Sequence, residues 1–340
     1  MAAYVPGEQP AGGGYIKLNA NENPYPPSPE VVRALLAEAW GSLNMYPDPM
    51  SNAVRDRLAK RFALSRESFV IGNGGDDILT IVTRCTLSTA DTIAYPVPSY
   101  VLYPTLADLQ DCRRLEIPYA PDFSIPKALF GNPAQLTILT NPNSTGPAVS
   151  TTEVKRLAES LKGVLIVDEA YVDFADENAM ELTGKLPNLC ILRSFSKSFS
   201  LAGMRVGYLA GPEALITEFM KAKDSYNVSR LSIVAAAAAL DDYDYMLANA
   251  ARIKATRENL RSAMTEMGFK VLPSQTNFLW ATAPAPGAKA IYQALKERRI
   301  LIRFWDREKL RDSVRITVGT AEQTNTLTDA LREITGAANV

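Results

Sequence analysis

Lys197 stands in "RSFSKSFSLAGMRVGYLAG" (193–211), with no acidic residue within ten positions on either side. An amine among small and apolar residues, without a local counter-ion, is either a solvated loop cation or a nucleophile. Ser194 and Ser196 precede it, and Arg205 follows eight positions on. Hydroxyls and a guanidinium suit a phosphate. Neighbouring cations, with carboxylates kept away, favour the neutral, nucleophilic amine.

Other residues at segment ends could share that chemistry. Asp168 closes the apolar run of "VLIVDEAYVDF" (164–174). Four apolar residues predict a strand buried on both faces, so its terminal carboxylate must find a partner or shift its pKa. A structural salt bridge would satisfy it, and so would a protonated ring nitrogen; Tyr171 could reach the same ligand. "IGNGGDDIL" (71–79) ends a strand and opens a helix. Gly74 and Gly75 permit a tight turn, and the N–H groups of Gly75, Asp76 and Asp77 suit a phosphate; a plain capping turn has the same signature. "TNPNSTGPAVS" (140–150) is rich in turn formers. It is a bland loop or a way to aim the Asn143 amide at a ligand oxygen.

The elements that must position these residues follow from patterning. "PEVVRALLAEA" (29–39) and "SNAVRDRLAKRF" (51–62), with Ser51 as N-cap, predict amphipathic helices. Short β-rich runs then alternate with helical stretches: 69–72, 92–95, 137–140, 164–168, 189–193 and 204–211. That alternation predicts an α/β fold with a mostly parallel sheet covered by helices. In such sheets the ligand lies beyond the carboxyl ends of the strands. After a helical segment over roughly 230–267, the order becomes βαββα-like, which predicts a smaller α+β domain. The division is a large domain over 28–227, and a small one formed by 1–27 with 228–340.

Composition narrows the chemistry. The 340 residues contain no histidine, which excludes Ser-His-Asp and Cys-His catalysis and imidazole-based zinc sites; no metal site is expected. A net charge of −1 argues against nucleic acid or an anionic membrane as the main partner. No run approaches the ~18 apolar residues of a membrane span. The start lacks the basic-then-apolar pattern of a signal peptide. Cys85, Cys112 and Cys190 form no C-x-x-C pair and fit free thiols in a cytoplasmic setting.

"SFSKSFSLAGMRVGY" resembles the cofactor-lysine motif of fold-type I pyridoxal-5′-phosphate enzymes, specifically the class I/II aminotransferases. "YVPG" (4–7), "KLNANENPYPPSP" (17–29), "MYPDP" (45–49), "YPVPSY" (95–100), "PSQTNFL" (273–279) and "RITVGT" (315–320) resemble the histidinol-phosphate branch in the same order. The resemblance implies that Lys197 bonds covalently to the cofactor and moves the substrate proton. It implies that Asp168 pairs with the ring nitrogen, Asn143 and Tyr171 with the ring oxygen, and that Tyr100 stacks on the ring. Gly75, Asp76, Ser194, Ser196 and Arg205 would hold the phosphate, joined by Tyr46 from the partner of a homodimer. Arg315 would grip a carboxylate, with Arg303 and Tyr25 as candidates for a distal phosphate. The implied substrates are L-histidinol phosphate and 2-oxoglutarate. An aromatic aminotransferase, an L-threonine-phosphate decarboxylase and a non-catalytic binding module on the same fold are the alternatives. The chain departs from the usual N-P-T-G at Ser144, and carries "GGDD" where G-S/A-D-E is common.

Overall fold

Apolar runs of four to six residues, too short for stable helices, build one large sheet, and longer periodic segments cover it. The computed structural model describes residues 7–10, 12–41 and 43–337, so of "YVPG" only Gly7 is described. The first part of the chain contains β1 (Ile16–Lys17), α1 (Pro29–Ala39), α2 (Asn52–Phe62), β2 (Phe69–Gly72), α3 (Gly75–Thr86), β3 (Thr92–Val97), α4 (Leu102–Leu109) and β4 (Arg113–Pro118). Then come β5 (Leu136–Thr140), α5 (Thr151–Ser160), β6 (Val164–Asp168), β7 (Leu189–Ser194), β8 (Gly207–Ala210) and α6 (Glu213–Ala222). The last part holds α7 (Arg230–Asp241), α8 (Tyr243–Glu266), β9 (Lys270–Val271), β10 (Phe278–Thr282), α9 (Ala288–Glu297), β11 (Ile300–Leu301), β12 (Arg303–Phe304), β13 (Ser313–Thr317) and α10 (Ala321–Thr335).

The large sheet has the order β2-β8-β7-β6-β5-β3-β4. Pairing is parallel from β4 through β7, and β8 runs antiparallel between β7 and β2. Alternate residues of the central strands feed two separate cores. Leu165 and Val167 of β6 enter one, and Ile166 enters the other. Burial on both faces explains why this strand reads as an unbroken apolar run. β4 escaped the sequence reading because it is an edge strand whose "RRLEIP" leaves only Ile117 fully buried.

A second sheet, β12-β13-β10-β9, is antiparallel, and β1 pairs with β11 beside it. Its third core gathers Leu279, Ala281, Val314 and Ile316 with α8, α9 and α10. The helical segment over 230–267 breaks at Asp242 into α7 and α8. Ile233, Ala236, Met246 and Ile253 pack into the large sheet's first core, so α7 and the first half of α8 share the large body's interior despite following residue 228.

Helix starts are locally encoded, with one correction. Ser28 caps α1 by accepting from the Glu30 N–H at 3.0 Å. Ser51 occupies the cap position of α2 but has φ 50 and makes no side-chain cap bond. Asp48 does that job, accepting from the Asn52 N–H at 2.7 Å. Among the described residues no helix is long and apolar enough to cross a membrane, and no cluster of three or more His, Cys, Asp or Glu side chains could hold a metal ion.

Candidate active site

Beyond the carboxyl ends of β5, β6 and β7 lies a cavity of about 740 Å³, within the usual range for small-molecule sites. Asp168 lines it from the end of β6, Tyr171 from the following turn, and Ser194, Ser196 and Lys197 from the end of β7. Gly75 and Asp76 join from the start of α3, Tyr100 from the loop after β3, and Arg205 from the approach to β8. Arg303 and Arg315 close it from the small sheet. Lys197 is half-buried, and its Nζ lies 5.9 Å from the Tyr171 ring centroid.

One end of the cavity gathers a helix start, two serines and a guanidinium, groups that could hold an anion. Gly74, at φ 85, precedes α3, and no side chain caps that helix. A Cβ at Gly74 would lie 2.6 Å from Arg205 Nη2, so glycine lets the guanidinium lie against the turn. The Arg205 guanidinium donates to Ser196 Oγ at 3.4 Å, and the Ser196 N–H donates to Ser194 Oγ at 3.1 Å. Arg205 also meets Asp76 Oδ2 at 3.3 Å, and the Tyr100 hydroxyl donates to Asp76 Oδ1 at 3.1 Å. The Tyr100 ring stands edge-on to Tyr103, with centroids 5.8 Å apart.

The other end holds a carboxylate in a dry place. Asp168 is 5% exposed. It accepts from the Tyr103 hydroxyl at 2.7 Å and from the Ala170 N–H at 3.1 Å. The same Tyr103 oxygen lies 2.8 Å from Thr140 Oγ1. Burial pushes the Asp168 carboxyl above the ordinary carboxylate range. The Tyr103 hydroxyl and Ala170 N–H pull it back, as does the Lys197 ammonium more weakly, while Asp76 pushes it further up.

The small sheet supplies the far wall. Arg303 and Trp280 are the cross-strand partners of Arg315 on either side. Directly opposed arginines repel unless something intervenes. Trp305 lies 5.1 Å from the Arg303 guanidinium and 5.2 Å from that of Arg315, and stacks on Trp280 with centroids 5.4 Å apart. The Arg315 guanidinium also donates to the Asn19 carbonyl at 3.4 Å.

Three expected residues stand apart. Asn143 is absent from the cavity wall; its Oδ1 accepts from the N–H groups of Thr145 and Gly146 and from the Thr145 hydroxyl, closing its own turn. Tyr25 lies under the Arg252 guanidinium at 3.8 Å and also does not line the cavity. Tyr46 is 76% exposed and stacks on Tyr226 with centroids 4.3 Å apart. Sequence reasoning in turn missed Tyr103, Asn21, Trp280 and Trp305 as wall or support residues. Strand alternation in "NFLWAT" could have placed Phe278 and Trp280 on one face. Nothing local marks Tyr103.

The sequence profile of "Aminotransferase class I and II" matches residues 14–331. The chain belongs to the class I and II aminotransferases. Among curated relatives, this aminotransferase is 42% identical to histidinol-phosphate aminotransferase 1 of Nostoc sp. over 98% of its length and 96% of the relative's. It is 41% identical to the histidinol-phosphate aminotransferase of Rhodopirellula baltica, covering 95% of this chain and 90% of that one. Among solved structures, the histidinol-phosphate aminotransferase of Sinorhizobium meliloti in complex with pyridoxal-5′-phosphate superposes with a TM-score of 0.88 at 27% identity, covering 95% and 91%. A tetra mutant of Thermus thermophilus aspartate aminotransferase shares the fold at a TM-score of 0.81 and 17% identity, covering 94% and 96%. The architecture is therefore the fold-type I arrangement, and the protein is an enzyme of amino-group transfer.

Proposed function

We propose that this aminotransferase takes its amino group from L-histidinol phosphate and passes it to 2-oxoglutarate, giving imidazole acetol phosphate and L-glutamate in histidine biosynthesis. The observation that carries the reading is the joint placement in one cavity of Lys197, the buried Asp168 and the opposed Arg303 and Arg315. Curated relatives of about the same length, named for that activity, support it. The three cysteines are free thiols, which supports the cytoplasmic setting.

The residues present fit pyridoxal phosphate. The uncapped α3 start, the glycine cradle at Gly74, Ser194, Ser196 and Arg205 offer donors to a phosphate. Asp168, whose burial is only partly offset by two neutral donors and, more weakly, by the Lys197 ammonium, matches a protonated ring nitrogen. Lys197 would hold the aldehyde carbon, Tyr171 the ring oxygen, and Tyr100 the ring face. Asn143, whose Oδ1 closes its own turn, would turn its Nδ2 to the ring oxygen. When bound, the cofactor supplies an electron sink that acidifies the substrate Cα–H.

The chain's own groups do the rest. The Lys197 amine, once free, takes the substrate α-proton and returns it, since no imidazole exists to do so. Asp168 keeps a proton on its ring partner. Arg315 forks onto a carboxylate, and Arg303 meets a more distal anion. Tyr25 is the further candidate for that distal end, and Tyr46 is proposed to reach the phosphate across a homodimer. The exposed Tyr46, stacked on the exposed Tyr226, and the exposed Trp40 and Met45 close to it in sequence support an apolar interface.

The test is a panel of amino donors with 2-oxoglutarate, followed by glutamate formation. L-Histidinol phosphate is expected to lead phenylalanine, tyrosine and threonine phosphate in kcat/KM by at least about tenfold. A lead for the aromatic amino acids would overturn the donor assignment, and release of carbon dioxide from threonine phosphate would overturn the reaction class. Lys197→Ala should abolish turnover with the circular dichroism of the wild type. Mixing Lys197→Ala with Tyr46→Ala subunits should recover activity if sites are shared; no recovery after proven subunit exchange defeats sharing.

A further inference from the structure

Asn21, in the "NANENP" stretch, lines the cavity. It is buried, and its backbone is left-handed at φ 54. Asn, Asp and Gly are the residues that adopt this conformation most readily. Every polar group of Asn21 is engaged. Its N–H donates to Thr317 Oγ1 at 3.0 Å, and that hydroxyl donates to Asn21 Oδ1 at 3.1 Å. Its carbonyl accepts from Asn277 Nδ2 at 3.0 Å. Its Nδ2 donates to the Tyr171 hydroxyl oxygen at 2.9 Å.

The orientation of the amide follows from this pattern. Thr317 accepts the Asn21 N–H and has one proton left to give, so an acceptor, Oδ1, faces it. Nδ2 then faces Tyr171. A phenolic oxygen that receives an N–H cannot use its own proton on the same partner. The Tyr171 proton is therefore left for an acceptor in the cavity. Three anchors hold the arrangement: Thr317 ends β13, Asn277 precedes β10, and Tyr171 follows β6. The amide thus ties the small sheet to the catalytic edge of the large one.

We propose that Asn21 is a positioning residue that keeps Tyr171 a hydrogen-bond donor toward the ligand in the cavity. The proposal rests on reading that ligand as pyridoxal phosphate with its ring oxygen at Tyr171. With every polar atom of Asn21 already engaged within the protein, its action passes through the tyrosine.

Asn21→Asp keeps the left-handed backbone but replaces the donor with an acceptor, which draws the Tyr171 proton toward itself. Asn21→Gly keeps the backbone and deletes the side chain. Both are compared with Tyr171→Phe and with the Asn21→Asp/Tyr171→Phe double variant. The readouts are kcat and KM of the cofactor-loaded enzyme, the pH midpoint of the bound cofactor's absorbance, and the Kd of cofactor-free protein for pyridoxal phosphate. Asn21→Asp should lower kcat by about tenfold to a hundredfold. It should move the absorbance midpoint in the same direction as Tyr171→Phe, and the double variant should lose less than about threefold beyond the worse single one. Should Asn21→Asp fail to fold, Asn21→Gly must still move the midpoint in that direction. Fully additive losses, or a midpoint that only Tyr171→Phe moves, overturn the proposal. A wild type that binds no pyridoxal phosphate overturns the cofactor reading first and the proposal with it, which separates the two failures.

Discussion

Asp168 and Glu169 are consecutive, acidic and buried, yet the protein treats them in opposite ways. Glu169 accepts from Arg193 Nε at 2.8 Å and from the Ala179 N–H at 2.5 Å, within an ion pair whose side chains are 0% and 7% exposed. Among the described residues, Asp168 receives only neutral donors, Tyr103 and Ala170, and it lines the cavity. The cost of burying a charge is met inside the protein for Glu169. For Asp168 no ion pair among the described residues meets it. One residue welds β6 to β7; its neighbour, which has no charged hydrogen-bond partner among the described residues, is the one we propose as a binding group.

The contrast can be broken most forcefully at the weld. Glu169→Gln leaves the Arg193 guanidinium buried without its anion, and the expected loss of stability is about 3–5 kcal/mol. Denaturant unfolding of the cofactor-free protein measures it, and a loss below about 1 kcal/mol would put the two acids on the same footing. Next comes Asp168→Asn. It removes a charge that only the ligand needs, so kcat/KM should fall by about a hundredfold or more. The cofactor-free protein should stay as stable as wild type or gain. Wild-type turnover in Asp168→Asn would make Asp168 a second weld.

How much of this was legible beforehand differs along the chain. Asp168 showed itself because four apolar residues lead into a carboxylate, and Lys197 because its neighbourhood lacks acids. The helix over 29–39 and the strands over 69–72 and 164–168 came out at the expected bounds. All of these are local signals. Arg193 lies in the "LCILR" run, where a lone cation reads as a strand end; its partner is 24 positions away and only pairing of β6 with β7 joins them. Tyr103 is likewise 65 positions from the carboxylate it serves. Ser51 misled because composition marks a cap position without fixing φ, and Asp48 took the role from outside. Trp305 reached the site through a loop after β12 whose course no periodicity encodes.

A smaller effect sharpens the comparison through pH. Burial raises the Asp168 pKa in the folded chain, so the native state holds a proton that the unfolded state gives up. The stability contributed by that proton is present at low pH. It is lost as pH rises from the ordinary carboxylate value of about 4 through the raised one. Asp168→Asn lacks this slope. The cofactor-free variant should therefore gain on wild type as pH rises from about 4 to 7, read as the difference in urea midpoints. A difference that stays flat across that range would mean that the protein's own donors already satisfy Asp168.

The smallest effect is the most discriminating about Glu169. Asn178 Oδ1 accepts from Arg193 Nη2 at 2.9 Å and from the Met180 N–H at 3.2 Å. Asn178→Ala strips one neutral acceptor from the guanidinium but leaves the carboxylate in place. If charge holds the pair, the variant should lose only about 1 kcal/mol, with kcat unchanged within about twofold. A loss equal to that of Glu169→Gln would mean that hydrogen-bond geometry, which Asp168 also enjoys, is what satisfies Glu169. The distinction between a welded acid and a waiting one would then have to come from the shape of the cavity rather than from the missing cation.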